Sequence, residues 1–446
     1  MIKRFVSLKV QTWLTVVTVI ALVERISLYL LYRPVSFNDT ASYRHLAETI
    51  LAGWGAYDGT RTPGYPFFMA LFGGDERVYA AQLFFGFLTT LLFFYVAWRI
   101  SGLSWLAGLV ALAHTLNPQQ IFFEADLLTE SLTTFLIILS IGFLTWMFFS
   151  NKPTLWKVLG LGLLAGLAGG AAALSRPLFI FIPFWMAFFL LVFWHVHPRI
   201  RWGGALIIGL AGTIVIGLWV YFIYSRFGML SLTTMTGFHL VQHAGLYFEY
   251  VPDQYAIIRD VYLQYRTEQI AATGSPGNTI WAAIPALQQA TGLSFYDLSR
   301  LLTNISIQLI ITHPLLYLKN VILGWFWFWK APVYYMADSF RFAWLGTLSK
   351  WINVGWRGVL IILNIGFVSG SIGLVLNKVR QLLGMNGFLW FSLGTIWLTS
   401  IAQTFLDHGD NPRFMVPVQS LVLLVVFCWG TKLFMFLRKK DANLSA

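Results

Sequence analysis

TWLTVVTVIALVERISLYLLY, residues 12 to 32, followed by Asn38-Asp39, Tyr43 and Arg61-Thr62-Pro63-Gly64-Tyr65-Pro66, is the passage from which the architecture can be read. A mainly apolar run of about 20 residues is what a helix needs to cross the hydrocarbon core of a bilayer. An open strand cannot satisfy its backbone there, so the run reads as a helix. Glu24-Arg25 interrupts it, and the apolar character resumes to Tyr32 without a small-residue cleavage site. It is therefore a retained first span rather than a signal peptide. Similar runs recur near 77–98, 103–121, 130–149, 155–174, 178–196, 203–224, 315–331, 356–376, 386–406 and 414–436. With 58% hydrophobic and 11% charged residues among 446, a single soluble core does not account for them. The expectation is an all-α polytopic membrane protein of about eleven transmembrane helices in one domain over the whole chain. Within it, Gly160, Gly162, Gly166, Gly169 and Gly170 read as a face for close helix packing rather than as a phosphate loop.

The formal charge of +12 sits in short loops and does not indicate nucleic acid. Lys3, Arg4 and Lys9 precede the first span, Arg99 follows the second, Lys152 and Lys157 the fourth, and Arg199 and Arg201 the sixth. This alternation is the positive-inside pattern and places the N-terminus in the cytoplasm. The opposite side then receives residues 33–76, the turn 122–129, Ser175-Arg176-Pro177 and the long stretch 226–314. That stretch is too polar to span and reads as helices at the membrane surface, with a mobile piece near Gly274-Ser275-Pro276-Gly277. One conflict follows. Eleven spans leave Lys432, Arg438, Lys439 and Lys440 outside, against the charge rule, and a missed crossing between 296 and 350 is the expected repair. Cys428 is the single cysteine, which excludes an intrachain disulfide and a thiolate metal cluster.

The residues able to do chemistry gather on the loop side. Asp39, just after the first span, is placed to act as a general base, although Asn38 or Asp39 also reads as the cap of a surface helix over 40–52 with Tyr43 as packing. Glu124, Asp126 and Glu130 form a second acidic group. Asp126 and Glu130 are one helical turn apart, which suits acceptor positioning or metal binding, and equally suits acids at a helix N-terminus. Arg61 is held by two prolines and a glycine at the membrane boundary, where a planar fork of donors can grip a phosphate. Arg176 before Pro177 and Arg413 after Asn411-Pro412 are further phosphate candidates, or else snorkelling side chains. His239 and His243 have the four-residue spacing of a metal pair if helical, without the glutamate that usually accompanies it.

Taken together, Asp39 with Tyr43, Arg61 to Pro66, Asp126-Leu127-Leu128-Thr129-Glu130, Ser175-Arg176-Pro177 and Arg413-Phe414-Met415-Val416-Pro417 resemble the GT-C superfamily of polyprenyl-phosphate-sugar-dependent glycosyltransferases. That group includes protein O-mannosyltransferases and the lipid A aminoarabinose transferase. The resemblance implies a transmembrane bundle with surface helices in the first external loop and a cavity open to the external face and to lipid. It implies an inverting transfer of a sugar from a polyprenyl phosphate to a lipid, glycan or protein acceptor, in a prokaryotic inner membrane with the site on the extracytoplasmic face. Asp39 would be the base, Glu130 with Asp126 the second acidic site, and Arg61, Arg176 and Arg413 would hold the donor phosphate. Tyr43, Tyr65 and Glu124 would position substrate. Thr60 stands where some relatives carry a metal-binding carboxylate, so a divalent metal is left open. A transporter or flippase for lipid-linked saccharides, and an inactive lipid-sugar binding subunit, are the competing readings. A flippase needs polar lining along its whole path, whereas the spans carry little beyond Glu24, Arg25 and His114.

Overall fold

The computed structural model describes residues 9–331, 333–407 and 411–444; Lys3 and Arg4 lie outside them. The described residues form an all-helical, polytopic membrane fold. In chain order the helices are α1 Val10–Leu31, α2 Asn38–Leu51, α3 Gly64–Phe72, α4 Asp75–Ser101, α5 Ser104–Thr115, α6 Pro118–Ala125, α7 Glu130–Phe148, α8 Leu155–Ser175, α9 Ile182–Phe193 and α10 Pro198–Phe227. They continue as α11 Thr236–Ala244, α12 Ala256–Thr273, α13 Thr279–Thr291, α14 Phe295–Thr312, α15 Pro314–Phe328, α16 Ala343–Gly373, α17 Asn377–Leu383, α18 Gly387–Leu406 and α19 Val416–Leu444.

Among the described residues, eight helices are long and apolar enough to cross a membrane. The segments predicted at 103–121 and 178–196 are shorter apolar helices, Ser104–Thr115 and Pro177–Phe193. The first is broken because Pro118 cannot continue the helix; Asn117 instead caps α6, its side chain accepting from the Gln119 amide at 3.0 Å. Both still run from one end of the bundle to the other.

The segment at 315–331 behaves differently. α15 is bent 102° from α14 and starts beside the end of α18, where the Tyr317 hydroxyl donates to the Phe405 carbonyl at 2.6 Å. It descends to mid-bundle, where Trp325 stacks on Trp397, ring centroids 6.2 Å apart, and Asn364 donates to the Trp329 carbonyl at 3.1 Å. The chain then returns to where it began, since the Arg33 amide donates to Ser339 and the Arg341 amide to Leu31, at 3.0 and 2.9 Å. α15 is thus re-entrant. The charge conflict disappears by removing a crossing, not by adding one, because the start of α1 and the end of α19 then lie at the same end.

The predicted glycine face is real at four of its five positions. A methyl at Gly162 would come within 2.5 Å of Ile207, at Gly166 within 2.5 Å of the Ile208 carbonyl, at Gly169 within 3.2 Å of Met186, and at Gly170 within 2.8 Å of Val215; Gly160 faces open space. α8 can therefore lie directly against α10. Above the bundle, α11 to α14 pack around their own core of Phe238, Val241, Phe248, Ile258, Tyr262, Leu287, Leu298 and Leu302. Gly274-Ser275-Pro276-Gly277 forms the turn between α12 and α13, with Gly274 at φ +72° closing α12.

Candidate functional site

The polypeptide leaving α1 is strapped to the turn between α6 and α7. The Val35 amide donates to Ala125 at 3.0 Å, and the Leu127 amide to Val35 at 2.9 Å. The Thr40 hydroxyl then accepts from the Phe37 amide at 2.9 Å and donates to the Leu127 carbonyl at 3.0 Å. These bonds start α2 next to α7, so Asp39 falls in the first turn of a helix, where the dipole favours its charge.

Arg61 arrives from the other side. Asp58 accepts from the Thr60 amide and hydroxyl at 2.9 and 2.7 Å, turning the loop, and the Tyr57 hydroxyl donates to the Arg61 carbonyl at 3.1 Å. Gly64 then passes so close to the end of α8 that a Cβ would sit 2.6 Å from the Leu174 carbonyl oxygen. That approach brings Arg61 and Arg176 to one place.

The result is a chain of alternating charges. Asp39 Oδ1 is 2.7 Å from Arg61 and Oδ2 is 3.1 Å from Arg413. Arg413 Nε is 2.6 Å from Glu130 Oε1, which also receives Arg176 at 2.9 Å. Tyr43 lies under Arg61, its ring centroid 5.5 Å from the guanidinium carbon, and Phe414 lies under Arg176 at 4.2 Å. Burial alone would push the Asp39 carboxyl up, but the Arg61 and Arg413 guanidiniums outweigh it and hold the group below its ordinary range. Asp126 is fully buried, and burial together with the neighbouring Glu130 raises its carboxyl well above that range.

A cavity of about 330 Å³ opens against this cluster. Tyr43, Arg61, Arg176 and Arg413 line it, together with Thr129, Ser175 and Phe414, while Asp39 and Glu130 are held by the arginines and do not line the wall. The three guanidiniums bring their donors to one side of the cavity. Such forks match the oxygens of a phosphate. The carboxylates of Asp39 and Glu130 are already engaged by arginine, which makes that pair a poor site for a divalent cation. Among the described residues, no three His, Cys, Asp or Glu side chains are grouped to hold a metal.

The other predicted residues fall in different places. Tyr65 is buried behind Tyr43, ring centroids 5.0 Å apart, and donates to Gln82 Oε1 at 2.7 Å. Glu124 is drawn away from the cavity into the bundle, where Arg25 meets its carboxylate at 2.6 Å. Arg25 also contacts Glu24 at 3.3 Å and bonds the Thr115 hydroxyl. His239 and His243 share helix α11 but not an environment: His239 lines the cavity 3.6 Å from Asp407, whereas His243 is buried with its ring 5.3 Å from that of Tyr317.

Two contributors were missed in the sequence. Gln82 is fully buried in α4 and donates to the carbonyls of Glu124 and Asp126 at 3.0 and 2.9 Å while accepting from Tyr65, so it ties the turn between α6 and α7 to the aromatic ring behind Tyr43. An amide inside an apolar run was the signal. The second is Gln403 with Asp407, which line the cavity beside His239.

No protein-family model matches the sequence, and no curated protein sequence matches it. Solved structures similar to the chain include the oligosaccharyltransferase of Archaeoglobus fulgidus in its apo form, with a TM-score of 0.48 and 14% identity over 97% of this chain and 52% of that one. The chain thus spans about half the length of that protein. ArnT from Cupriavidus metallidurans bound to undecaprenyl phosphate gives a TM-score of 0.40 and 13% identity over 95% of this chain and 78% of that one.

Proposed function

We propose that the protein is a membrane glycosyltransferase that moves a sugar from a polyprenyl-phosphate-linked donor to a lipid, glycan or protein acceptor on the extracytoplasmic face. The observation that carries this reading is the wall of three arginines brought together at one cavity. A polyprenyl phosphate esterified to a sugar is an anionic phosphodiester with two unesterified oxygens, which guanidinium forks match.

The reaction follows from the same charges. An acceptor hydroxyl attacks the anomeric carbon, the bond from that carbon to the phosphate oxygen breaks, and its electron pair leaves on the phosphate, inverting the centre. The departing phosphate gains negative charge, which Arg61, Arg176 and Arg413 are already oriented to stabilise. The acceptor proton passes to Asp39. In the resting site both Asp39 oxygens are engaged by arginine, which makes it a weak base. A bound phosphate competes for Arg61 and Arg413, loosens that grip and raises the basicity of Asp39. Donor binding therefore readies the base.

An inactive lipid-sugar binder is the competing reading, and the position of Asp39 off the cavity wall is the observation in its favour. One experiment separates the two: purified protein in lipid, given radiolabelled polyprenyl-phosphate sugars, with wild type beside Asp39→Asn. Loss of label from the donor in wild type and not in the variant supports transfer with Asp39 as base. Donor binding without turnover by wild type supports the binder.

A further inference from the structure

The arginines occupy only part of the cavity wall. A second group of polar side chains comes from Thr236 and His239 on α11 and from Gln403 and Asp407 at the end of α18. His239 Nδ1 is 3.6 Å from Asp407 Oδ2, and the Gln403 amide donates to the Asp407 carbonyl at 3.1 Å. The His239 ring stands edge-on to Trp281, centroids 5.4 Å apart at 72°. α11 belongs to the outer helical layer and α18 to the bundle, so this pole is assembled where the two meet.

Its chemistry is the opposite of the arginine wall. A carboxylate repels a phosphate, and a carboxylate, a primary amide, an imidazole and a hydroxyl together offer both donors and acceptors. Adjacent hydroxyls on a ring, each able to donate and accept, are the ligand such a set matches. In the proposed donor the sugar is joined to the phosphate through one oxygen, so a pole in the same cavity as the arginines faces the ring.

We propose that Asp407, His239, Gln403 and Thr236 form a subsite for a polyhydroxylated sugar ring, with Asp407 accepting from its hydroxyls; the inference rests on the donor reading above. The ring belongs either to the donor or to a glycan acceptor.

The test uses the full chain in lipid nanodiscs as wild type, Asp407→Asn, His239→Gln and Arg61→Ala. Affinity is measured for sugar-free polyprenyl phosphate and for polyprenyl-phosphate hexoses, and KM for a glycan acceptor. Asp407→Asn should bind the sugar-linked donor about 10- to 100-fold more weakly, the usual effect of losing a hydrogen bond to a charged group, and the sugar-free lipid as wild type does. His239→Gln should weaken the same ligand by a smaller factor. If donor affinity holds and the acceptor KM rises by that factor, the subsite takes the acceptor's sugar. The proposal is overturned if sugar-free and sugar-linked affinities fall together, or if neither variant moves any of these constants. Sugar-free lipid reports the arginines alone, so wild type that binds it no better than Arg61→Ala does would instead remove the donor reading, and the subsite with it.

Discussion

Asp39 and Asp126 lie close along the same network, yet the structure gives them opposite characters. Asp39 is held low by two guanidiniums, and Asp126 is held high by burial and by Glu130. Replacing Asp39 by Asn should leave the fold intact and reduce turnover by about 10²- to 10⁴-fold, read as loss of label from the donor. The pH profile carries a finer signature. kcat/KM reports the free enzyme, in which Asp39 is depressed and stays ionised into the acid range, whereas kcat reports the donor complex, in which the phosphate has drawn the arginines off. The acid limb of kcat should therefore lie at higher pH than that of kcat/KM, and coincident limbs would refute the competition between phosphate and carboxylate. Glu130 offers a stability test. It is fully buried and pairs with the buried Arg176, so Glu130→Gln weakens the compensation of that charge and should destabilise by about 3–5 kcal/mol, seen in thermal unfolding in detergent. Asp126→Asn should do the reverse once pH exceeds the ordinary carboxylate range. A carboxyl raised in the folded state is most favourable below its unfolded value and loses that contribution as pH climbs from there, so removing it should raise stability above that range and leave stability below it nearly unchanged.

At the scale of the element, glycine separates helices that touch from helices that face open space. Gly64→Val would drive side-chain atoms into the backbone of Leu174 and Ser175, part α3 from α8 and move Arg61 away from Arg176. Both stability and donor binding should fall. Gly166→Leu should separate α8 from α10 and lower stability alone, whereas Gly160→Ala, with nothing within 4 Å, should be tolerated or slightly stabilising. The three melting curves, set beside donor affinity, distinguish packing from site geometry. Much of this was legible beforehand: the glycine spacing named the face, and the prolines with Gly64 named the rigid entrance to α3. The re-entrant path of α15 was not legible, because a half-crossing helix such as Pro-Leu-Leu-Tyr-Leu to Trp-Phe-Trp-Phe has the same apolar composition as a full one.

For the molecule as a whole, the path of α15 fixes topology. If it turns back, residues near Arg380 and the C-terminal cations share the side of the N-terminus, while Asp253 and Arg259 on the outer layer face the other. Single cysteines introduced at positions 253 and 380 in a Cys428→Ala background should label from opposite sides of sealed vesicles. Labelling from the same side would contradict the re-entrant assignment. The cavity takes its lining from both the bundle and the outer layer, so a ligand there meets both at once.

The sequence by itself determined the membrane class and most of the helices, and it singled out Asp39, Arg61, Glu130, Arg176 and Arg413, which the structure brings together, because hydropathy and charge near a membrane boundary leave a strong local trace. It could not determine which charges meet. Glu124 and Glu130 are six residues apart and look equivalent on paper, but one pairs with Arg25 inside the bundle and the other with Arg176 and Arg413 at the cavity. Ion pairs form between whichever groups the helices bring within a few ångströms, and Asp39 reaches Arg413 across 374 positions of chain only because α2, α7 and α19 converge. Tertiary structure alone also joined His239 to Asp407, since neither residue carries any sign of the other until the outer layer settles onto the bundle.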